Sequence, residues 1–146
     1  MYVADAKRLT AAGAKKIMAA AIAGAEKAGI AVSVAIVDGG GNLMLLERME
    51  GGRFHTVHSA TTKAVCAASN RRPTASTGAV GQSLDVAHAI GLALAAGPER
   101  WTAMEGGCPI LFDGQCVGGV GIAGGSWQHD QDLAKQAVEA IGAKAA

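Results

Sequence analysis

The stretch from Met104 to Asp132 narrows the folds open to this chain more than any other. Two short apolar runs flank Asp113-Gly114, a pair suited to a two-residue turn in which both central residues take positive φ. The return arm carries glycines at 118, 119 and 121 and then runs into Gly124-Gly125-Ser126. A glycine inside a strand gives up side-chain packing, so it marks a place where something comes close to the backbone. The sequence therefore predicts an antiparallel hairpin over 109–123, one arm of which is approached by another element of the protein or by a ligand.

The remaining elements follow from periodicity and punctuation. Residues 5–28 predict a helix, capped by Asp5 and ended by Gly29. Val32 to Val37 is a continuous β-branched run, which is the pattern of a buried strand. Asp38-Gly39-Gly40-Gly41-Asn42 is a turn, and Leu43 to Met49 returns as a second strand. A helix runs from Arg53 or Phe54 to about Ser69 and stops at Arg72-Pro73. Further helices are expected over 83–95 and 128–141. The order is α-β-β-α-α-β-β-α. Hairpins in place of βαβ crossovers predict an antiparallel sheet layered with helices, in the α/β (α+β) class. With 146 residues and no repeat or linker, residues 1–146 form one expected domain.

Composition excludes several functions. Net charge is +1, with 13 basic and 12 acidic residues spread along the chain, so no footprint for nucleic acid or anionic lipid is expected. No apolar run approaches the ~20 residues of a membrane helix. Yet half of the residues are apolar and only 3% aromatic, and the mean hydropathy is +0.25. Small apolar side chains in such excess predict a homo-oligomer whose contacts bury the surplus. Cys66, Cys108 and Cys116 lack metal-site spacing and fit reduced thiols in a cytoplasmic protein. The opening residues lack the apolar core of a secretory signal.

Two groups of residues carry a resemblance. The first comprises Val37 to Asn42, Glu47-Arg48-Met49, Ala60, Lys63 and Arg72-Pro73-Thr74. The second comprises Gly106 to Ile110, Val117-Gly118, Gly121 to Gly125 and Gln131-Asp132. In these the chain resembles the haem-degrading (GlcG/HbpS-like) family, over nearly its whole length. The resemblance implies a profilin-like sandwich, symmetric oligomers and, in some members, haem or iron binding. Members differ in function, so the fold by itself names no chemistry.

The chain contains four histidines. His55 and His58 stand three apart at the start of a predicted helix and share a face with Thr62 and Cys66. They are candidate metal ligands, for iron or on the axis of a haem; two solvated histidines in a first helical turn are the competing reading. His88 is expected at the surface or against the core, and His129 beside Asp130 at a helix start capped by Ser126 or Asp130. Asp38 either bonds turn amides or touches a ligand. Arg48 either pairs locally or grips a carboxylate or propionate. Lys63 is a surface ammonium by default. Its place in the family pattern favours a pocket, where a desolvated amine serves as a base or anion contact. Gly107, Gly124 and Gly125 are candidate positions for a ligand lying on bare backbone, the last two beside the free amides of a helix start. They equally suit a tightly packed hairpin.

The motifs of phosphate loops, dinucleotide folds, hydrolase elbows and zinc proteases are missing. Three functions therefore remain. The first is a binding protein for haem, a related tetrapyrrole or iron, with His55 or His58 at the metal and Arg48 or Lys63 at a propionate. The second is a cofactor-free isomerase, tautomerase or lyase acting on a small organic acid, with His58 or Lys63 moving the proton. The third is a non-catalytic structural or sensor subunit.

Overall fold

A computed structural model describes all residues 1–146. Four helices and four strands follow one another in the expected order: α1 Ala11–Ala28, β1 Ser33–Asp38, β2 Leu43–Arg48, α2 His55–Asn70, α3 Val86–Ala96, β3 Gly107–Phe112, β4 Gln115–Ala123 and α4 Trp127–Glu139. The strands form one antiparallel sheet in the order β2-β1-β4-β3. The two hairpins thus lie side by side, joined where β1 meets β4 with Ala35 opposite Gly121 and Val37 opposite Gly119.

The sheet is covered on both faces, which explains the unbroken apolar run of β1. Val34 and Ile36, with Val120, Ile122 and Ile110, point into the larger core against α1 and α4. Ala35 and Val37 point the other way, against Ala60, Ala64 and Ala68 of α2. Alanines and glycines dominate this second face, so α2 comes down almost onto the strands. A Cβ at Gly121 would overlap the Ala60 carbonyl, and one at Gly119 the Ala64 carbonyl. The glycine arm is therefore a bed for α2.

Asp113 and Gly114 both take positive φ, 48° and 76°, as the two-residue turn requires. Helix starts follow the residue whose side chain caps them, and so depart from the expected positions. The first helix begins at Ala11, not near Asp5, because the Thr10 hydroxyl accepts from the Gly13 amide while residues 1–8 stay exposed. Likewise α3 begins at Val86, where Asp85 accepts from the His88 amide, and α4 follows Ser126, which accepts from His129.

α3 rests on no other helix or strand. Its apolar side chains Val86, Ile90 and Leu94 are 74%, 56% and 73% exposed, an unusual surface for eleven residues of such composition.

Two glycine replacements separate close packing from mere flexibility. Gly121→Val is expected to lower stability by about 1–3 kcal/mol through overpacking against α2. Gly91→Ala, in α3 with open space around it, is expected to raise stability by about 0.4–1 kcal/mol. Urea unfolding midpoints at unchanged slope check both.

Candidate functional site

The N-terminal half of α2 overhangs the end of β4, and the gap between them opens into a groove of about 600 Å³. One wall is α2, with His55, Thr56, His58, Ser59, Thr62 and Lys63; these follow the helical repeat that places 55, 58, 59 and 62 on one stripe. The opposite wall is Ala89, Ile90 and Ala93 of α3 with Trp101 and Met104 beyond it. Ala123, Gly124, Gly125, Trp127 and Asp130 close the end, and Arg53 stands at the rim. His55 and His58 are both exposed to the opening, and Phe54 sets its ring edge-on to His55 at 6.1 Å.

Lys63 is buried. Its ammonium donates to the Ile122 carbonyl at 2.8 Å and lies 3.7 Å from the Asp130 carboxylate, with only 6% of its side chain and 1% of that of Asp130 exposed. The cause is the close docking of α2. With Ala60 and Ala64 held on β4, the side chain of Lys63 must run along the strand end, where Gly106 leaves room for it. A Cβ at Gly106 would stand 2.8 Å from the ammonium nitrogen. Asp130 also accepts from the Gly125 amide at 3.0 Å. Burial pushes the Lys63 ammonium below its ordinary pKa, and the Asp130 charge opposes that shift. Burial pushes the Asp130 carboxyl above its ordinary range, and Lys63 opposes it. Both partners are thus driven toward their neutral forms. Nearby, Nδ1 of His129 is enclosed without a hydrogen-bond partner.

Of the residues singled out in the sequence, His55, His58, Lys63, Gly124 and Gly125 come together on this groove. Asp38, Arg48 and Gly107 do not line it. Asp38 accepts from the Gly40 and Asn42 amides and so shapes its own turn. Arg48 donates to the Gly52 carbonyl at 2.7 Å, because the chain doubles back immediately after β2. Gly107 lies beneath α2, its amide held by Thr74, where a Cβ would strike the Lys63 carbonyl. The Asp38 turn borders a second hollow of about 610 Å³ that contains no histidine.

Arg53, Trp101 and Asp130 went unrecognised. Asp130 looked like an ordinary charge at a helix start, and its burial depends on contacts with residues far away in the chain. Cys66 and Cys108 are buried, and burial pushes the Cys108 thiol up to about 12. No three His, Cys, Asp or Glu side chains gather as a metal-binding cluster.

Comparison with known proteins agrees with this fold. The family described as haem degrading protein HbpS-like matches residues 9–139. The chain belongs to the HbpS-like family. Among HbpS-like relatives, a 15.0 kDa protein of the dhaT-dhaS intergenic region of Citrobacter freundii is 34% identical over 134 residues, 90% of each chain. Protein GlcG of Escherichia coli K12 is 33% identical over 110 residues, covering 75% of this chain and 77% of its own. Three solved structures share the fold. Klebsiella pneumoniae ORFY superimposes with a TM-score of 0.83 at 32% identity, covering 97% of this chain and 96% of its own. The PduOC:heme complex gives 0.82 at 26% identity, covering 95% and 99%. A variant of Streptomyces reticuli HbpS gives 0.79 at 31% identity, covering 96% and 91%.

The buried pair yields a test of its own. Asp130→Ala leaves the Lys63 ammonium buried without its partner and is expected to cost about 3–5 kcal/mol, whereas Lys63→Met combined with Asp130→Leu should recover most of the loss. Urea unfolding of the two variants and the wild type checks this.

Proposed function

We propose that this HbpS-like protein binds haem or a related tetrapyrrole in the groove beneath α2. The observation that carries the reading is the pairing of two exposed imidazoles, His55 and His58, with an apolar facing wall of Ile90, Ala93, Trp101 and Met104. The groove volume lies within the range of small-molecule sites, roughly 300–1,000 Å³. The residues fit this group better than bare iron. A haem iron would need only one protein imidazole, because the porphyrin nitrogens would supply its other donors. A bare ion needs several, and no such cluster forms. Arg53 at the rim is the cation for a propionate, in place of the expected Arg48, since the Lys63 ammonium is already held by Asp130. Bound haem would supply redox or oxygen chemistry for sensing or degradation. The chain's own part is to present the imidazole, hold the propionate and cover the ring. Its three free thiols support a location in the reducing cytoplasm, and no helix is long and apolar enough to cross a membrane.

A second reading rests on the Lys63–Asp130 pair: a cofactor-free isomerase, tautomerase or lyase of a catabolic route. Two groups driven toward neutrality at the end of a groove can exchange a proton with a substrate. Arg53 and the first amides of α4 would hold the carboxylate of a small organic acid.

Haemin titration followed by absorbance tests the first reading. The wild type should show a saturable Soret shift at one haem per chain, and His55→Ala combined with His58→Ala should lose it while keeping the wild-type melting curve. An undiminished shift in the double variant would remove these histidines from the site.

The exposed α3 supports a homo-oligomer in which a second copy covers Val86 and Leu94, which do not line the groove, and so braces the groove wall from outside. Leu94→Glu is expected to shift the sedimentation coefficient to that of a single chain and to weaken haemin binding together with it.

A further inference from the structure

We propose that Lys63 is an imine-forming lysine, which captures the carbonyl carbon of a small α-oxo acid in the groove. The inference rests on the second reading above, in which the buried pair handles protons, and does not depend on haem. Three observations carry it. Lys63 lines the groove, whereas the other six lysines of the chain are exposed. Its nitrogen donates to the Ile122 carbonyl at 2.8 Å, and the Asp130 carboxylate stands 3.7 Å from it, within reach as the acceptor of its proton. Arg53 supplies a guanidinium on the same groove for the substrate's carboxylate, which distinguishes an oxo acid from a neutral aldehyde.

The step balances with these groups alone. The Asp130 carboxylate takes one proton from the Lys63 ammonium, leaving a free amine and a carboxylic acid. The amine lone pair forms a C–N bond to the carbonyl carbon, and the C=O π pair moves to oxygen. Asp130 gives its proton to that oxygen and takes one from the new nitrogen centre, producing a neutral carbinolamine. Asp130 then protonates the hydroxyl, the C–O bond breaks, water leaves, and the nitrogen lone pair closes a C=N⁺ bond. The net change is ammonium plus ketone to iminium plus water, with Asp130 again a carboxylate beside the new cation. Burial of the amine favours its nucleophilic form, which gives such lysines their reactivity.

The test is reductive trapping. The purified protein is incubated with pyruvate and cyanoborohydride near neutral pH and analysed by intact mass and peptide mapping. One reduced pyruvate adduct per chain, mapped to Lys63 and saturating with pyruvate, is the expected result; the six exposed lysines serve as internal controls. Asp130→Asn should slow the trapping by about a hundredfold, the scale of a general acid–base contribution. Arg53→Ala should raise the pyruvate concentration needed for half-maximal labelling. Lys63→Met should abolish the adduct, and if that variant does not fold, the wild-type peptide map decides alone. Adducts scattered over the exposed lysines, or none at Lys63, overturn the proposal. A rise in Tm with pyruvate that Arg53→Ala removes, without an adduct, overturns the imine and leaves the acid–base reading standing. Neither adduct nor thermal shift removes both.

Discussion

The fold and the groove depend on one contact, the approach of the α2 backbone to β4. Helices usually stand off a sheet by the thickness of their side chains. Here Gly119 and Gly121 remove the side chains from one partner, and Ala60 and Ala64 keep them minimal on the other. The helix therefore lies against the strand backbone. Once it does, the neighbouring residue in the helix, Lys63, cannot escape to solvent on that side and enters the space left by Gly106. The charged pair at the end of the groove is thus a consequence of small residues elsewhere. Asp130 compensates part of the cost of enclosing the ammonium, and the Ile122 carbonyl supplies a further acceptor.

The same contact divides the molecule into two unlike cores. On the α1 and α4 face, branched side chains of β1 and β4 mesh with leucine, isoleucine and alanine in a core of ordinary thickness. On the α2 face the layer is thin and made almost wholly of alanine. A thin layer leaves the N-terminal half of α2 overhanging the strand ends, and the overhang exposes His55 and His58 to the groove. The rigid side of the site comes from the glycine bed. Its other side, α3, has no such support within the chain, which is why the wall of the groove and the exposed apolar surface are one element.

The two proposed ligand chemistries draw on different parts of this arrangement. The imidazoles at the mouth suit a metal held by a macrocycle, and the buried amine and carboxyl at the end suit proton or carbonyl chemistry. They occupy different depths of one groove, so a broad ligand and a small acid would share Arg53 and otherwise use different residues. HbpS-like membership supports the first chemistry, and the burial of Lys63 and Asp130 supports the second.

Local physics alone determined the order of elements and the antiparallel sheet. The Asp113-Gly114 turn, the β-branched run of β1 and the glycine stops act within a few residues, and neighbouring residues suffice to predict them. The two histidines on one helical face were legible for the same reason. Helix starts were less so, because Asp5, Thr10, Asp85 and Ser126 are all competent caps and the packing of each helix selects among them. The groove itself was settled only by the tertiary structure. Arg48 and Asp38 looked like ligand contacts, yet backbone partners within four residues claim both of them. Asp130 looked like a solvated helix-start charge, yet it lies beside a lysine 67 positions away, in a pocket that exists because glycine lets a helix rest on a strand. Burial and pairing depend on which distant segments meet, and no local pattern of residues encodes that.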